Sequence, residues 1–457
     1  MKEAETENYS NLYFLISDNF ELVSMGIIGV IVALLLLKSS LKQKKTTKVL
    51  KKVVANKMNE PFSLHPEIDE AKCLGCGDCT RACPEGEVLQ LINHKAVLIH
   101  ATKCVGHGLC EQVCPLGAID LVFGTKARGM DIPRISQDYE TNIPGLYIAG
   151  ELGGMGLIRN AVRQGQAAAE HAMKNLTSKA KTDYDLLVVG AGPAGFAAGL
   201  EAKKQNKKYV CLEQNSFGGT VYNFPRQKIV MTIPFTLPIE GEVKFSKNVV
   251  SKEDLLERWD EIRIKNKVNI KEKSKFDSIV QTDDYFTVGT PEGKVTAKKV
   301  ILAMGVRGSP RKLGLENEDQ EKVAYNLIDP EQYQKQHVGV VGGGNAAVEA
   351  AQYLCKEQYG NTVSIFIRED AKNGLARCAE DNRNLLFECE EKGLINICYY
   401  TSVKEIHTDH LILKTNDGDQ KLENNYLFIF AGAEVPHKFL MSLGIKIDKK
   451  FGTKLGS

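Results

Sequence analysis

Residues 185–195 read Asp185-Leu186-Leu187-Val188-Val189-Gly190-Ala191-Gly192-Pro193-Ala194-Gly195, a short apolar strand that runs into a glycine turn and then into a helix. Twenty-three residues after Gly190, a second strand, YVCLE, ends at Glu213. Together these parts make a dinucleotide fingerprint. The glycines allow a tight turn and a close pyrophosphate approach, the helix N-terminus meets the negative charge, and the acid accepts from a ribose hydroxyl. A lone G-x-G-x-x-G would be weak; the strand, the helix and the distant acid make this one strong. Gly190, Gly192, Pro193, Ala194, Gly195 and Glu213 are the candidate contacts, with Gly218 and Gly219 just beyond the acid.

A second copy begins with HVGVV at 337–341 and continues Gly342-Gly343-Gly344-Asn345-Ala346-Ala347. Its second strand, VSIFI, leads into Arg368-Glu369. Gly342, Gly344, Asn345, Ala346, Ala347, Arg368 and Glu369 are the candidate residues of this site. Two nested dinucleotide folds predict an α/β protein with two Rossmann-like domains and two bound dinucleotides. Nucleotide choice turns on the end of the strand. A carboxylate at Glu369 can accept from a free 2′-hydroxyl and repels a 2′-phosphate, which favours NADH over NADPH.

Residues 183–447 resemble flavoproteins of the low-molecular-weight thioredoxin reductase type, including VILAMG at 300–305 and IFAGAEVP at 429–436 as the two links between domains. The resemblance implies FAD in the first site and NAD(P)H in the second. The stretch that closes such flavoproteins over the flavin is absent after residue 447. It stands early instead, as TNIPGLYIAGE at 141–151 followed by GLIRNAVRQGQAAAEHA. By this resemblance Glu151, the acid after Ala149-Gly150, contacts the ribityl chain, and amides of the Arg159, Asn160, Ala161 stretch at the start of the following helix face the flavin pyrimidine edge. The order of parts reads as a circular permutation, with residues 126–180 packing beside 185–213 to complete an FAD site in their own chain or a partner's. The relatives' C-x-x-C pair is missing, since no cysteine lies between Cys211 and Cys355, so a dithiol relay to a thioredoxin is not expected. No residue is singled out as catalytic.

Seven of the twelve cysteines fall between Cys73 and Cys114. Cys73, Cys76, Cys79, Cys83 and Pro84 give the C-x2-C-x2-C-x3-C-P run of bacterial two-cluster ferredoxins, and Cys104, His107, Cys110, Cys114 and Pro115 repeat it with a histidine second. The resemblance implies that Cys73, Cys76, Cys79 and Cys114 hold one 4Fe-4S cluster, while Cys83, Cys104 and Cys110 hold the other. His107 either ligates that second cluster or stands beside a three-iron cluster or one with another fourth ligand. Cys211, Cys355, Cys378, Cys389 and Cys398 are scattered and read as core or surface thiols.

Sixteen uncharged residues, Leu22 to Leu37, approach the roughly 20 residues of a spanning helix. Residues 1–21 carry one Lys and five acids, whereas residues 38–57 carry eight Lys and no acid. The positive-inside rule therefore puts the N-terminus outside and the rest in the cytoplasm, as a single-pass membrane protein. The lysines follow the apolar run instead of preceding it, which argues against a cleaved signal peptide. They read as a flexible linker that also suits anionic lipid. A net charge of +2 gives no general case for nucleic-acid binding.

The expected organisation is an anchor and basic linker at 1–60, a small α+β ferredoxin-like domain at 61–125, the flavin-closing segment at 126–180, an FAD domain at 181–310, an NAD(P) domain at 311–432 and a return to the FAD domain at 433–457. A hydride donor, a flavin and two one-electron carriers suit a two-to-one electron converter. Its partner would be a ferredoxin-like protein, a quinone or a membrane redox protein, and a homodimer is compatible with the sequence. Two other functions fit the same parts: reduction of a low-molecular-weight disulfide, and electron delivery as a subunit similar to the small chain of glutamate synthase.

Overall fold

The computed structural model describes residues 20–55, 61, 64–125, 129–154, 156–231, 235–245, 250–282, 284–306, 310–432 and 436–454. The acidic stretch 1–19 and the 433–435 part of the IFAGAEVP link lie outside the described residues.

Helix α1 runs unbroken from Phe20 to Ala55. Residues 25–42 of it are exposed, and the helix is long and apolar enough to cross a membrane. The basic half continues the same helix, so the expectation of a flexible linker is corrected. No Gly or Pro occurs between residues 30 and 60, Lys and Leu are good helix formers, and the preceding turns spare this stretch the cost of nucleation. Thr46 and Val53 on this half are buried, and Thr46 Oγ1 donates to Gln90 Oε1 at 2.7 Å.

The cysteine-rich module has strand β1 (His65–Ile68), helix α2 (Asp78–Ala82), a hairpin of β2 (Leu89–Ile92) and β3 (Lys95–Leu98), helix α3 (Leu109–Gln112) and strand β4 (Ile119–Phe123). Strands β1 and β4 pair antiparallel. Both short helices start after a left-handed glycine, Gly77 and Gly108, where a side chain would be strained.

Next come β5 (Met130–Pro133), β6 (Leu146–Ile148) and α4 (Ile158–Lys174), then the fingerprint unit of β7 (Tyr184–Val189), α5 (Pro193–Lys204) and β8 (Tyr209–Leu212). The sheet continues through β9 (Ile270–Lys271), β10 (Ser278–Gln281), β11 (Phe286–Thr290) and β12 (Gly293–Leu302), in the order β9-β8-β7-β12-β11-β10. Strand β6 joins it in parallel against the C-terminal end of β12, Val300 opposite Leu146. Strands β6, β7 and β8 are almost wholly apolar and buried, which suits a parallel sheet covered on both faces. Helix α4 packs on α5 so closely that a Cβ on Gly165 would lie 1.9 Å from the Ala194 carbonyl oxygen.

The second nucleotide domain orders β13 (Val323–Ala324), β17 (Tyr426–Ile429), β14 (His337–Val341), β15 (Thr362–Ile367) and β16 (Ile395–Tyr399) as one parallel sheet. Helices α6 (Asn345–Leu354) and α7 (Glu380–Glu391) pack beside it. Lys228 of the first domain forms an ion pair with Glu349 on α6. His100 Nδ1 lies 3.1 Å from a Glu380 carboxylate oxygen, and an ion pair from Lys103 to Asp381, also at 3.1 Å, joins the cysteine-rich module to the start of α7.

The chain end returns to both earlier parts. Strand β18 (Ile447–Lys450) runs antiparallel to β5 with Lys450 opposite Met130, and Asp448 accepts from Arg134 at 2.6 and 2.8 Å. Strand β19 (Thr453–Lys454) then pairs with β4 of the cysteine-rich module, while Leu440 and Ile445 are buried in the core of the FAD-type sheet.

Candidate functional site

Two cavities lie in the cysteine-rich module. One is ringed by Cys73, Cys76, Cys79 and Cys114. The other is lined by Cys83, Cys104, His107 and Cys110, and also by Glu85, which the sequence reading did not single out. Among the described residues no three His, Cys, Asp or Glu side chains converge on a single-ion site. Four donors spread around a cavity suit a multi-atom iron-sulfur cluster better than one ion, and the thiolate donor set fits it.

All these cysteines are free thiols. Burial pushes Cys104 up to about 11, and burial followed by the nearby Cys104 pushes Cys110 up to about 12. Burial, then the crowd of Cys73, Cys76 and Cys114, raises Cys79. Such thiols keep their protons unless a metal replaces them, so cluster assembly here releases protons. His107 is shifted the other way: burial, then the nearby Arg159, lowers its pKa. The imidazole is therefore neutral at physiological pH, the form able to ligate. Glu85 Oε1 lies 3.7 Å from His107 Nε2, and burial raises its pKa.

The first dinucleotide cavity lies at the C-terminal edge of the first sheet. Gly190, Gly192, Pro193, Ala194, Glu213 and Gly219 line it from one side, and Gly150, Glu151 and Ala161 from the other. Gly190 adopts φ +102°, and a Cβ there would sit 2.6 Å from the Ala303 carbonyl oxygen. Helix α5 starts at Gly192 without a side-chain cap, so its first amides are free for an anion. Glu213 is buried and accepts from the Ala191 amide at 2.8 Å and the Asn215 amide at 3.0 Å, which fixes its carboxylate beside the glycine turn. These features form a cradle that fits a dinucleotide. An adjoining crevice shares Gly190 and Glu213 and extends to Lys275 and Arg311.

Gly195 and Gly218 do not line this cavity. Gly195 packs beneath it, where a Cβ would meet the Gly190 carbonyl oxygen at 1.8 Å, and Gly218 makes the left-handed entry to the turn at Gly219. The start of α4 divides between two neighbours. Leu157, Ile158 and Ala161 line the dinucleotide cavity. Asn160 is instead buried against the cysteine-rich module, its Nδ2 donating to the Gly106 carbonyl oxygen at 3.2 Å, and Arg159 lies near His107. One helical turn thus touches the dinucleotide cavity and the Cys104–Cys110 loop. Gln164, a further residue the sequence reading passed over, is buried and accepts from the Gly150 amide at 2.7 Å.

In the second nucleotide domain, Gly342 has φ +128° and α6 begins at Gly344 without a side-chain cap. The Asn345 side-chain oxygen accepts from the Ala379 amide at 2.8 Å, so this residue clamps the following loop as well as starting the helix. Ala347 is buried beneath the glycine turn, whereas Ala346, Arg368 and Glu369 are exposed. Cys355 is buried at the far end of α6, about 15 Å of helix from the turn. Burial, then the adjacent Cys389, pushes its thiol up to about 12.

A family model described as pyridine nucleotide-disulphide oxidoreductase matches residues 187–455, and a 4Fe-4S dicluster domain model matches residues 65–115. The chain is 27% identical over 274 residues to a ferredoxin–NADP reductase of Ignicoccus hospitalis, covering 58% of this chain and 83% of the relative. It is 25% identical over 273 residues to the bacilliredoxin reductase Bdr of Bacillus subtilis, with 58% and 82% covered. Among solved structures, the bacillithiol disulfide reductase Bdr of Bacillus cereus shares the fold with a TM-score of 0.52 at 20% identity, covering 60% of this chain and 85% of that one. The first family match spans more than half of the residues, and the chain therefore belongs to the pyridine nucleotide-disulphide oxidoreductase family, as an FAD-dependent NAD(P)H oxidoreductase with a 4Fe-4S domain.

Proposed function

We propose that this chain is a membrane-anchored, cytoplasm-facing oxidoreductase that passes reducing equivalents from NAD(P)H, by way of an FAD site and two iron-sulfur sites, to a redox partner. The observation that carries this reading is the first turn of α4, which lines the dinucleotide cavity through Leu157 and Ala161 and bonds the Cys104–Cys110 loop through Asn160. FAD accepts a hydride and releases electrons singly, and iron-sulfur clusters carry them one at a time. The chain's own residues hold these groups in sequence. Gly190, Gly192, Gly219 and Glu213 would hold the FAD pyrophosphate and ribose, Gly150 and Glu151 its ribityl side, and Gly342, Gly344 and Asn345 the nicotinamide dinucleotide. Cys83, Cys104, Cys110 and His107 would hold the cluster nearer the flavin, and Cys73, Cys76, Cys79 and Cys114 the other.

The circular permutation has structural support of its own. Strands β5 and β18 pair as the two arms of a hairpin, with Met130 opposite Lys450, so a tight turn would join them in an unpermuted chain. In this reading the turn is cut, and α4 and β6 complete the FAD site within their own chain.

Anaerobic titration, followed by visible absorbance and electron paramagnetic resonance, tests the electron route. Both flavin and cluster signals should be reduced, with roughly two nucleotides consumed per chain because FAD takes two electrons and each cluster one. Clusters that stay oxidised over fully reduced flavin would overturn it. With exposed Glu369 beside Arg368, NADH should give the higher catalytic efficiency, and Glu369→Arg should raise efficiency with NADPH roughly tenfold by removing a repelling carboxylate. Replacing His107 by Cys should shift the resonance spectrum and potential of the flavin-side cluster, whereas an unchanged spectrum would take His107 out of the ligand set.

A further inference from the structure

The cysteine-rich module is fixed to α1 in one register. Gln43 bonds Asn93 at the tip of the β2–β3 hairpin, and Thr46, one turn further along, bonds Gln90 near its base. The hairpin tip therefore points along α1 toward the apolar half. Gln43 is six residues past Leu37, the end of the uncharged run, which is about 9 Å of helix. The Cys73–Cys79 loop is packed on this tip. A Cβ on Gly75 would lie 2.1 Å from the His94 carbonyl oxygen, Lys95 Nζ donates to the carbonyls of Glu70 and Cys73 at 2.7 and 2.6 Å, and the Ala96 amide faces Cys73 Sγ at 3.4 Å. The cavity of Cys73, Cys76, Cys79 and Cys114 is thus at the apolar-helix end of the module, while that of Cys83, Cys104 and Cys110 faces α4.

Two large apolar side chains stand exposed on the rim of the first cavity: Leu74 at 75% and Leu116 at 47%. Solvated leucines beside a redox centre are costly in water but suit a headgroup–acyl boundary, where apolar side chains bury about 5–10 Å deep. Exposed Lys42, Lys44 and Lys45 lie within two residues of Gln43 on α1, about 3 Å of helix, and complement anionic headgroups, with exposed Lys48, Lys51 and Lys52 following further along.

We infer that the Leu74–Leu116 rim docks on the cytoplasmic surface of the bilayer and is the electron exit to a lipid-soluble acceptor of the quinone class. The inference rests on the proposed anchoring and electron route. The balance is closed by that acceptor: NAD(P)H is oxidised to NAD(P)+ with loss of two electrons and one proton, and the quinone is reduced to quinol with those two electrons and two protons, the second taken from water.

The test uses the full chain in nanodiscs, with and without brominated lipid. Leu74→Trp and Leu116→Trp should each lose emission roughly twofold with brominated lipid, because bromine quenches at boundary depth. The native Trp259, fully buried in the FAD-type domain, is an internal reference that should not respond. In parallel, Leu74→Glu and Leu116→Glu should lower NAD(P)H-driven reduction of a short-chain quinone about tenfold, the rate equivalent of about 1.4 kcal/mol. Flavin bleaching by nucleotide should keep its rate in both. Unquenched tryptophans overturn the docking, and quinone rates unmoved by either glutamate variant overturn the exit. If instead the variants impair only reduction of an added soluble ferredoxin, the rim serves a protein partner and the inference falls. The quenching arm needs no electron flow, so a failure of nucleotide-driven cluster reduction would strike the proposed function and leave the docking result to be read alone.

Discussion

Replacing Cys79 by Ser is expected to abolish acceptor reduction while flavin reduction by NAD(P)H keeps its rate. Cys79 is buried and reaches the same cavity as Cys73, Cys76 and Cys114, at the end of the module away from α4. A serine hydroxyl is a poor ligand for iron beside three thiolates, and its burial leaves a polar group without the partner it replaced. Outer-shell changes around metal sites typically cost roughly 10- to 100-fold, and a direct ligand should cost at least the upper figure. The hydride step is separated from this change by α4 and the Cys104–Cys110 loop, so stopped-flow flavin bleaching should be unmoved. The flavin-side cluster should also still be reduced, visible as a surviving resonance signal. Normal acceptor turnover in the variant would mean that electrons leave from the flavin or from the flavin-side cluster, and reduction of a small disulfide would become the better reading. Alkylating exposed thiols in cluster-loaded protein separates these cases further, because the described cysteines outside the module are buried or half-buried.

The parts legible in the sequence are those whose chemistry is local. Gly190, Gly192 and Glu213 announce their site because a tight turn, a close approach and a ribose acceptor are set within about two dozen residues. The cysteine runs are legible for the same reason, since a wrapped cluster fixes ligand spacing along the chain. What the sequence hid depends on tertiary direction. Family resemblance assigns Asn160 to the flavin, yet successive residues of a helix differ by about 100° in direction, and Asn160 turns to Gly106 while Ala161 lines the cavity. Glu85 carries no motif of its own and joins the second cavity only because Cys83 and Pro84 turn the chain there. The lysine-rich stretch looks like a solvated tether by composition, but its propensity and its junction with an existing helix make it a rigid strut. The antiparallel pairing of Met130–Pro133 with Ile447–Lys450 joins segments more than 300 residues apart, beyond any local signal.

Substituting Gly165 by Val should remove FAD from the protein, the second large effect expected. Gly165 sits in the middle of α4, where intrinsic propensity favours almost any other residue by up to about 1 kcal/mol. Its packing decides otherwise. A Cβ there would lie 1.9 Å from the Ala194 carbonyl oxygen and 2.9 Å from its Cα, and both are backbone atoms that no rotamer change can move. Val must therefore push α4 off α5, at a cost of about 1–3 kcal/mol or more by the usual scale of overpacking. The displacement falls on the dinucleotide cavity, because Ala194 lines it from α5 and Ala161, one turn before Gly165, lines it from α4. It also pulls Gln164 from the Gly150 amide. The purified variant should show flavin absorbance lowered at least roughly tenfold, equivalent to about 1.4 kcal/mol in binding, and a lower melting temperature. The 4Fe-4S absorbance should remain, since the cysteine cavities draw no ligand from α4. Gly165→Ala places the same Cβ with less bulk, so it should lie between Val and Gly on both measures. Full flavin content in the Val variant would show that residues 158–174 do not close the FAD site of their own chain, and the permuted reading of residues 126–180 would fall with it.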